Sequence, residues 1–99
     1  MKSPSFQSPK KDLAGARLRI AHLDRAFLEV FRAYLAERSA LARHVGRIKR
    51  DLGISVRDAA IEEKVHSRFL QKLRTKLPES AIRALSNAIL RESRQQQKP

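Results

Sequence analysis

The chain has 99 residues and no cysteine, and sets 22 Lys and Arg against 10 Asp and Glu, a formal net charge of +12. That length allows one small domain, and the missing cysteines exclude a disulfide framework and thiolate chemistry. No apolar run reaches the roughly 18 residues that would suggest a membrane span, while the charge attracts anions of every kind, from nucleic acid to carboxylate metabolites.

Residues 1–12, beginning MKSPSFQSPKK, are rich in Ser, Pro and Lys and have no apolar periodicity. They read as a disordered basic tail ahead of a helical domain at residues 13–99. The tail lacks the apolar segment of a secretion signal, so a cytoplasmic protein is expected. From Leu13 to about Asp51 the chain is free of proline, and Ile20, Leu23, Phe27, Phe31, Tyr34, Leu41, Val45, Ile48 and Leu52 recur at steps near three and four. This is the pattern of an amphipathic helix. Gly53 follows the last apolar position, as a C-terminal stop does.

After a short connection, Asp58 is a good N-cap, with Glu62 just inside the first turn. The second helix carries Ile61, Val65, Phe69, Leu73 and Leu77 at steps of four. Pro78 suits the first position of a third helix, whose stripe is Ile82, Leu85, Ile89, Ser93 and Gln97. The first helix, about 39 residues, would be roughly 58 Å long, against roughly 30 Å for the other two. Two short helices cover only part of a long stripe, so the fold expected is all-α: a three-helix protomer with one very long N-terminal helix, in an intertwined homodimer.

Several polar residues fall on inward faces. Arg38 and Lys49 are 11 positions apart on the first helix, about three turns and nearly one direction. A charge on a core stripe must be paired, reach a wet cavity, or snorkel with its head in water. Ser93 and Gln97 continue an apolar face where a helix end also simply frays. Asp58 and Glu62 share one face of the second helix, where capping and the helix dipole already favour acids. Taken together, two cations, a carboxylate, a serine and an amide from three helices can converge on one cavity of a bundle. The ligand suggested is an anion carrying hydroxyl or ether groups. His22, His44 and His66 lack metal-ligand spacing, so no metal is expected. His66, one position off the Val65 stripe, reads as a surface or boundary residue. No phosphate loop or nucleophile elbow is present, and no cofactor is expected.

LRIAHLD, then LAERSALARHVGRIKRDLGISVRD, then Glu62, Ser93 and Gln97 together resemble the all-helical (type II) chorismate mutases, over about residues 16 to 97. The most specific part is an Arg, eight residues to a Gly, three more to a Lys, and V-x-D at the next helix start. The resemblance implies an interlocked dimer whose two sites are each lined by both chains. The reaction it implies is the Claisen rearrangement of chorismate, a dicarboxylate, to prephenate on the route to phenylalanine and tyrosine. It assigns Arg38 to a substrate carboxylate, and Lys49 and Gln97 to the ether oxygen. Glu62 and the Asp58 region would meet the ring hydroxyl, Ser93 a carboxylate, and Arg17 the site of the partner chain.

Two features depart from the family pattern. Arg17 and Arg38 are 21 positions apart, four more than the pattern, and LDRAFLEVFRAYLAER holds the extra turn. Four residues rotate a helix face by about 40° and add about 6 Å, which leaves Arg19 as an alternative to Arg17. Ile61 stands where the family often has Arg, and Arg57 is the nearby cation that could replace it. Two other functions remain open: an isochorismate–pyruvate lyase on the same fold, and a non-catalytic basic module binding nucleic acid. The second is the weaker, because the few aromatic residues sit on apolar stripes and leave no base-stacking platform.

Overall fold

The structure, a computed structural model, describes residues 8–99; residues 1–7 of the expected tail lie outside the described residues. The described residues are all-α, with three helices: α1 (Pro9–Leu52), α2 (Ala59–Leu73) and α3 (Glu79–Gln97). The first is very long, 44 residues.

Helix α1 starts four residues ahead of the expected Leu13. Ser8 is the reason: its hydroxyl accepts from the Lys11 amide at 3.2 Å and its carbonyl from the Asp12 amide at 3.1 Å. Pro9 then occupies the first helical position, where a missing N–H is harmless. The helix runs through LDRAFLEVFRAYLAER without interruption. It stops as the sequence predicts: Gly53 takes φ +67, Gly53 N bonds Arg50 O at 3.2 Å, and Ile54 N bonds Lys49 O at 2.8 Å. These two reversed bonds form a Schellman motif, which needs the left-handed backbone that glycine allows.

Asp58 caps α2, accepting from the Ile61 amide at 3.1 Å. This helix ends at Leu73, shorter than the apolar repeat to Leu77 suggested. The Lys76 and Leu77 amides both bond the Leu73 carbonyl, a tightened last turn ahead of Pro78, which lacks an N–H and cannot continue the helix. Pro78 itself is extended at φ −66, ψ 152 and precedes α3 as its N-cap, not as its first helical residue.

The chain divides into two units, residues 8–35 and 36–99. In the first, α1 presents exposed apolar side chains, among them Leu23 (70%), Phe27 (59%) and Val30 (70%). Phe27, Phe31 and Tyr34 stack along it, with centroids 5.2 and 5.8 Å apart. In the second, the core is Ala42, Val65, Ile82, Ile89 and Leu90. Two polar side chains share it. His66, expected at the surface, is buried, and its Nδ1 lies 2.5 Å from the Oγ of Ser86, which is fully buried. Ser86 Oγ also lies 3.2 Å from the Arg83 carbonyl. The stripe-edge position of His66 turned inward because α3 offered it a hydroxyl partner.

Candidate active site

Within residues 36–99 the three helices line a half-open cavity of about 440 Å³. Helix α1 contributes Arg38, Leu41, Ala42, Val45 and Lys49 to its wall; Val56 and Asp58 come from the connection; α2 adds Ile61, Glu62, Val65 and Arg68, and α3 adds Leu90, Ser93, Arg94 and Gln97. Six of the eight residues singled out from sequence therefore meet here: Arg38, Lys49, Asp58, Glu62, Ser93 and Gln97.

Their local geometry follows from the helices that carry them. Arg38, Ala42 and Lys49 share the inner face of α1, and Ala42 is small enough to leave room beside the two cations. Arg38 Nε is buried and has no hydrogen-bond partner among the described residues; the same holds for Gln97 Oε1. Buried polar atoms are nearly always paired, so two unpaired ones facing a single hollow mark where a polar ligand would complete the set. Lys49 Nζ donates to the Val56 carbonyl at 2.7 Å, which fixes the ammonium at the wall and leaves two N–H groups for the cavity. Asp58 is shared between capping α2 and lining the cavity.

Arg57 and Arg17 are placed differently. Arg57 does not line the cavity; its exposed side chain reaches Glu62 Oε1 with Nε at 3.7 Å. Arg17 is exposed on α1 within residues 8–35 and is not among the lining residues.

Two cations in the wall went unread in the sequence. Arg94 donates from Nη1 to Glu62 Oε2 at 2.7 Å, with side chains 28% and 13% exposed. Arg68 lines the α2 side. Position 94 was legible: Ile82, Ser86, Leu90 and Arg94 form a second column at steps of four, beside the column Leu85, Ile89, Ser93, Gln97. A core-facing helix stripe is wide enough for both, and Arg68 likewise follows Ile61 and Val65 at helical spacing. Arg38, Lys49, Arg68 and Arg94 against Asp58 and Glu62 leave the wall with a net charge of +2, counting four cations and two carboxylates. A dicarboxylate would neutralise it. So although Ile61 is uncharged, the cavity is not short of cations.

The sequence pattern of the family described as chorismate mutase type II matches residues 16–98. The chain belongs to the chorismate mutase type II family. No curated protein and no solved structure matches it. Membership implies chorismate mutase chemistry, an isomerisation, and agrees with the three-helix architecture. No described helix is long and apolar enough to cross a membrane.

Proposed function

We propose that this protein is a chorismate mutase that rearranges chorismate to prephenate on the route to phenylalanine and tyrosine, as a homodimer with two sites. The reading is carried by one observation: a +2 cavity in a chain of this family, with Arg38 Nε and Gln97 Oε1 buried in its wall and unpaired. The reaction is intramolecular. The ether C–O bond breaks as a C–C bond forms, no proton is transferred, and no covalent enzyme intermediate is needed. Catalysis therefore rests on holding the folded conformer and on stabilising charge that develops at the ether oxygen.

In this reading the guanidinium of Arg38 takes one carboxylate, the geometry its planar fork suits. Lys49 donates to the ether oxygen, and the Gln97 amide does so once turned to present its N–H. Glu62, oriented by Arg94, accepts from the ring hydroxyl beside Asp58, and Ser93 assists at a carboxylate. Arg68 supplies positive charge for the second carboxylate, Arg94 being engaged by Glu62. Arg17 serves the partner chain's site.

The homodimer is supported by what α1 leaves uncovered. Leu23, Phe27 and Val30 in the first unit and Leu41, Ile48 and Leu52 in the second are exposed apolar side chains. A second copy of the same helix is the partner that a symmetric interface would supply.

The test is to incubate the purified protein with chorismate and follow loss of its absorbance and appearance of prephenate. Isochorismate is offered in parallel with pyruvate as the readout. Prephenate formation that salt weakens through KM supports the reading, since the +12 charge attracts a dianion. Pyruvate from isochorismate without mutase turnover would replace it with the lyase. Steeply salt-dependent nucleic-acid binding with neither turnover would replace it with the basic module.

A further inference from the structure

Gln97 is the last residue of α3, and a helix end leaves its final carbonyls without intrahelical partners. Such an end frays unless something holds it. Three residues of α1 hold this one. Gly46 is buried, and a Cβ built on it would overlap the Gln97 carbonyl oxygen and stand 2.7 Å from its Cα. Arg50 donates from Nη1 to that same carbonyl at 2.6 Å. Arg43 donates from Nη1 to Gln96 Oε1 at 2.9 Å. Positions 43, 46 and 50 follow helical spacing, so they share one face of α1. The side chain of Gln97, meanwhile, points its unpaired Oε1 into the buried wall of the cavity.

We propose that Gly46 and Arg50 form a latch that docks the last turn of α3 on α1 and so holds the Gln97 amide in the cavity, making Arg50 a positioning residue for the reaction. Its effect on turnover rests on the role given to Gln97 above. Two physical terms act at the latch. Without a side chain at position 46 the α3 backbone approaches α1 closely, which no other residue type would allow unless α3 shifted. The guanidinium of Arg50 meets the negative end of the α3 dipole, where cations are favoured. Because Arg50 is exposed, its bond adds little to global stability, and the consequence is local: it decides where the terminal turn sits. A displacement of about 1 Å in a reacting group is enough to lower a rate substantially.

The experiment uses the full chain as Arg50→Ala, Arg50→Lys, Gln97→Ala and the double variant Arg50→Ala/Gln97→Ala. Readouts are kcat and KM for chorismate and amide hydrogen exchange over residues 93–98. Arg50→Ala is expected to lower kcat roughly tenfold with little change in KM, and to speed exchange in the last turn alone. Arg50→Lys should recover part of the loss. In the Gln97→Ala background, Arg50→Ala should change kcat by less than about twofold, because the two act as one unit. Parental kcat and parental exchange in Arg50→Ala would overturn the latch. So would an equal loss in the Gln97→Ala background, which would place the effect of Arg50 elsewhere. If Gln97→Ala turns over like the parent, the catalytic assignment of Gln97 falls, and exchange then decides the latch by itself: faster in Arg50→Ala supports it, unchanged refutes it. Gly46→Ala, which pushes on the same carbonyl from the other side, should mimic Arg50→Ala in exchange.

Discussion

Replacing Arg94 by alanine isolates the link between α3 and the carboxylate of α2. The bond removed is charge-assisted, 2.7 Å long, and joins side chains that are 28% and 13% exposed. Hydrogen bonds to charged groups contribute about 1.5–3 kcal/mol, and partial exposure of Arg94 trims this to about 2 kcal/mol. What remains beside Glu62 is Arg57 Nε at 3.7 Å, on a side chain 69% exposed, an arrangement worth less than about 1 kcal/mol. The two consequences differ in size. Water can enter the space left by Arg94 and resolvate Glu62, so the folded state loses only about 1 kcal/mol, a Tm drop of about 4–8 °C for a domain of this size. A resolvated Glu62 no longer has one orientation, so the transition state loses the full 2 kcal/mol, about thirtyfold in kcat/KM. The assay is a steady-state chorismate rate series beside thermal unfolding, both at one fixed protein concentration because a dimer's Tm depends on it. Arg94→Gln, which keeps a donor without the charge, should fall between the two. A kcat/KM within about twofold of the parent in Arg94→Ala would refute the claim that this bond orients Glu62.

Lys49→Ala should lower kcat/KM by about 10²–10³, the usual loss when one donor to a developing charge is removed, and Arg38→Ala by about 10–10², the loss of charge-assisted bonds of about 1.5–3 kcal/mol to a substrate carboxylate; circular dichroism should show the helices intact. Ser86→Ala should destabilise the protein by about 1–3 kcal/mol, since it leaves His66 buried without its partner, and a denaturant titration reads this directly. Phe27→Asp should convert the homodimer to monomer in sedimentation, by placing a carboxylate within the stacked aromatic face of α1; a dimer of unchanged affinity would refute that face as the seam.

Much of the architecture is visible in the residues themselves. Gly53 and Asp58 end and begin their helices as their residue types suggest, whereas the start of α1 at Pro9 was hidden, because Ser8 caps it from within a Ser-, Pro- and Lys-rich stretch that reads as a tail. Arg38, Lys49, Ser93 and Gln97 betrayed the cavity because polar groups on an apolar stripe demand a reason. What escaped reading depended on a neighbour. The end of α2 at Leu73 was hidden because its apolar repeat continues to Leu77, while the backbone tightens onto the Leu73 carbonyl ahead of Pro78. His66 looked peripheral by its position on α2, and its burial depends on Ser86, twenty residues away. Arg94 continues the column Ile82, Ser86, Leu90 but stands in a terminal run of Ser, Arg and Gln that resembles ordinary solvated surface, and its partner Glu62 lies on another helix.

The buried His66–Ser86 contact has a consequence for how α2 and α3 are aligned. Apolar side chains tolerate sliding, because one leucine is much like the next, but a hydroxyl and an imidazole satisfy each other at one setting only. Slip either helix by a turn and both are stranded in a dry interior. Glu62 stands one turn from His66, and Arg94 two turns from Ser86, so this setting also brings the carboxylate opposite its guanidinium. With only five apolar residues buried among the described residues, the bundle has little bulk with which to fix that alignment, and the polar pair serves as its index mark: the surrounding aliphatic packing can be redrawn while the cavity keeps its shape, provided those two side chains still find each other.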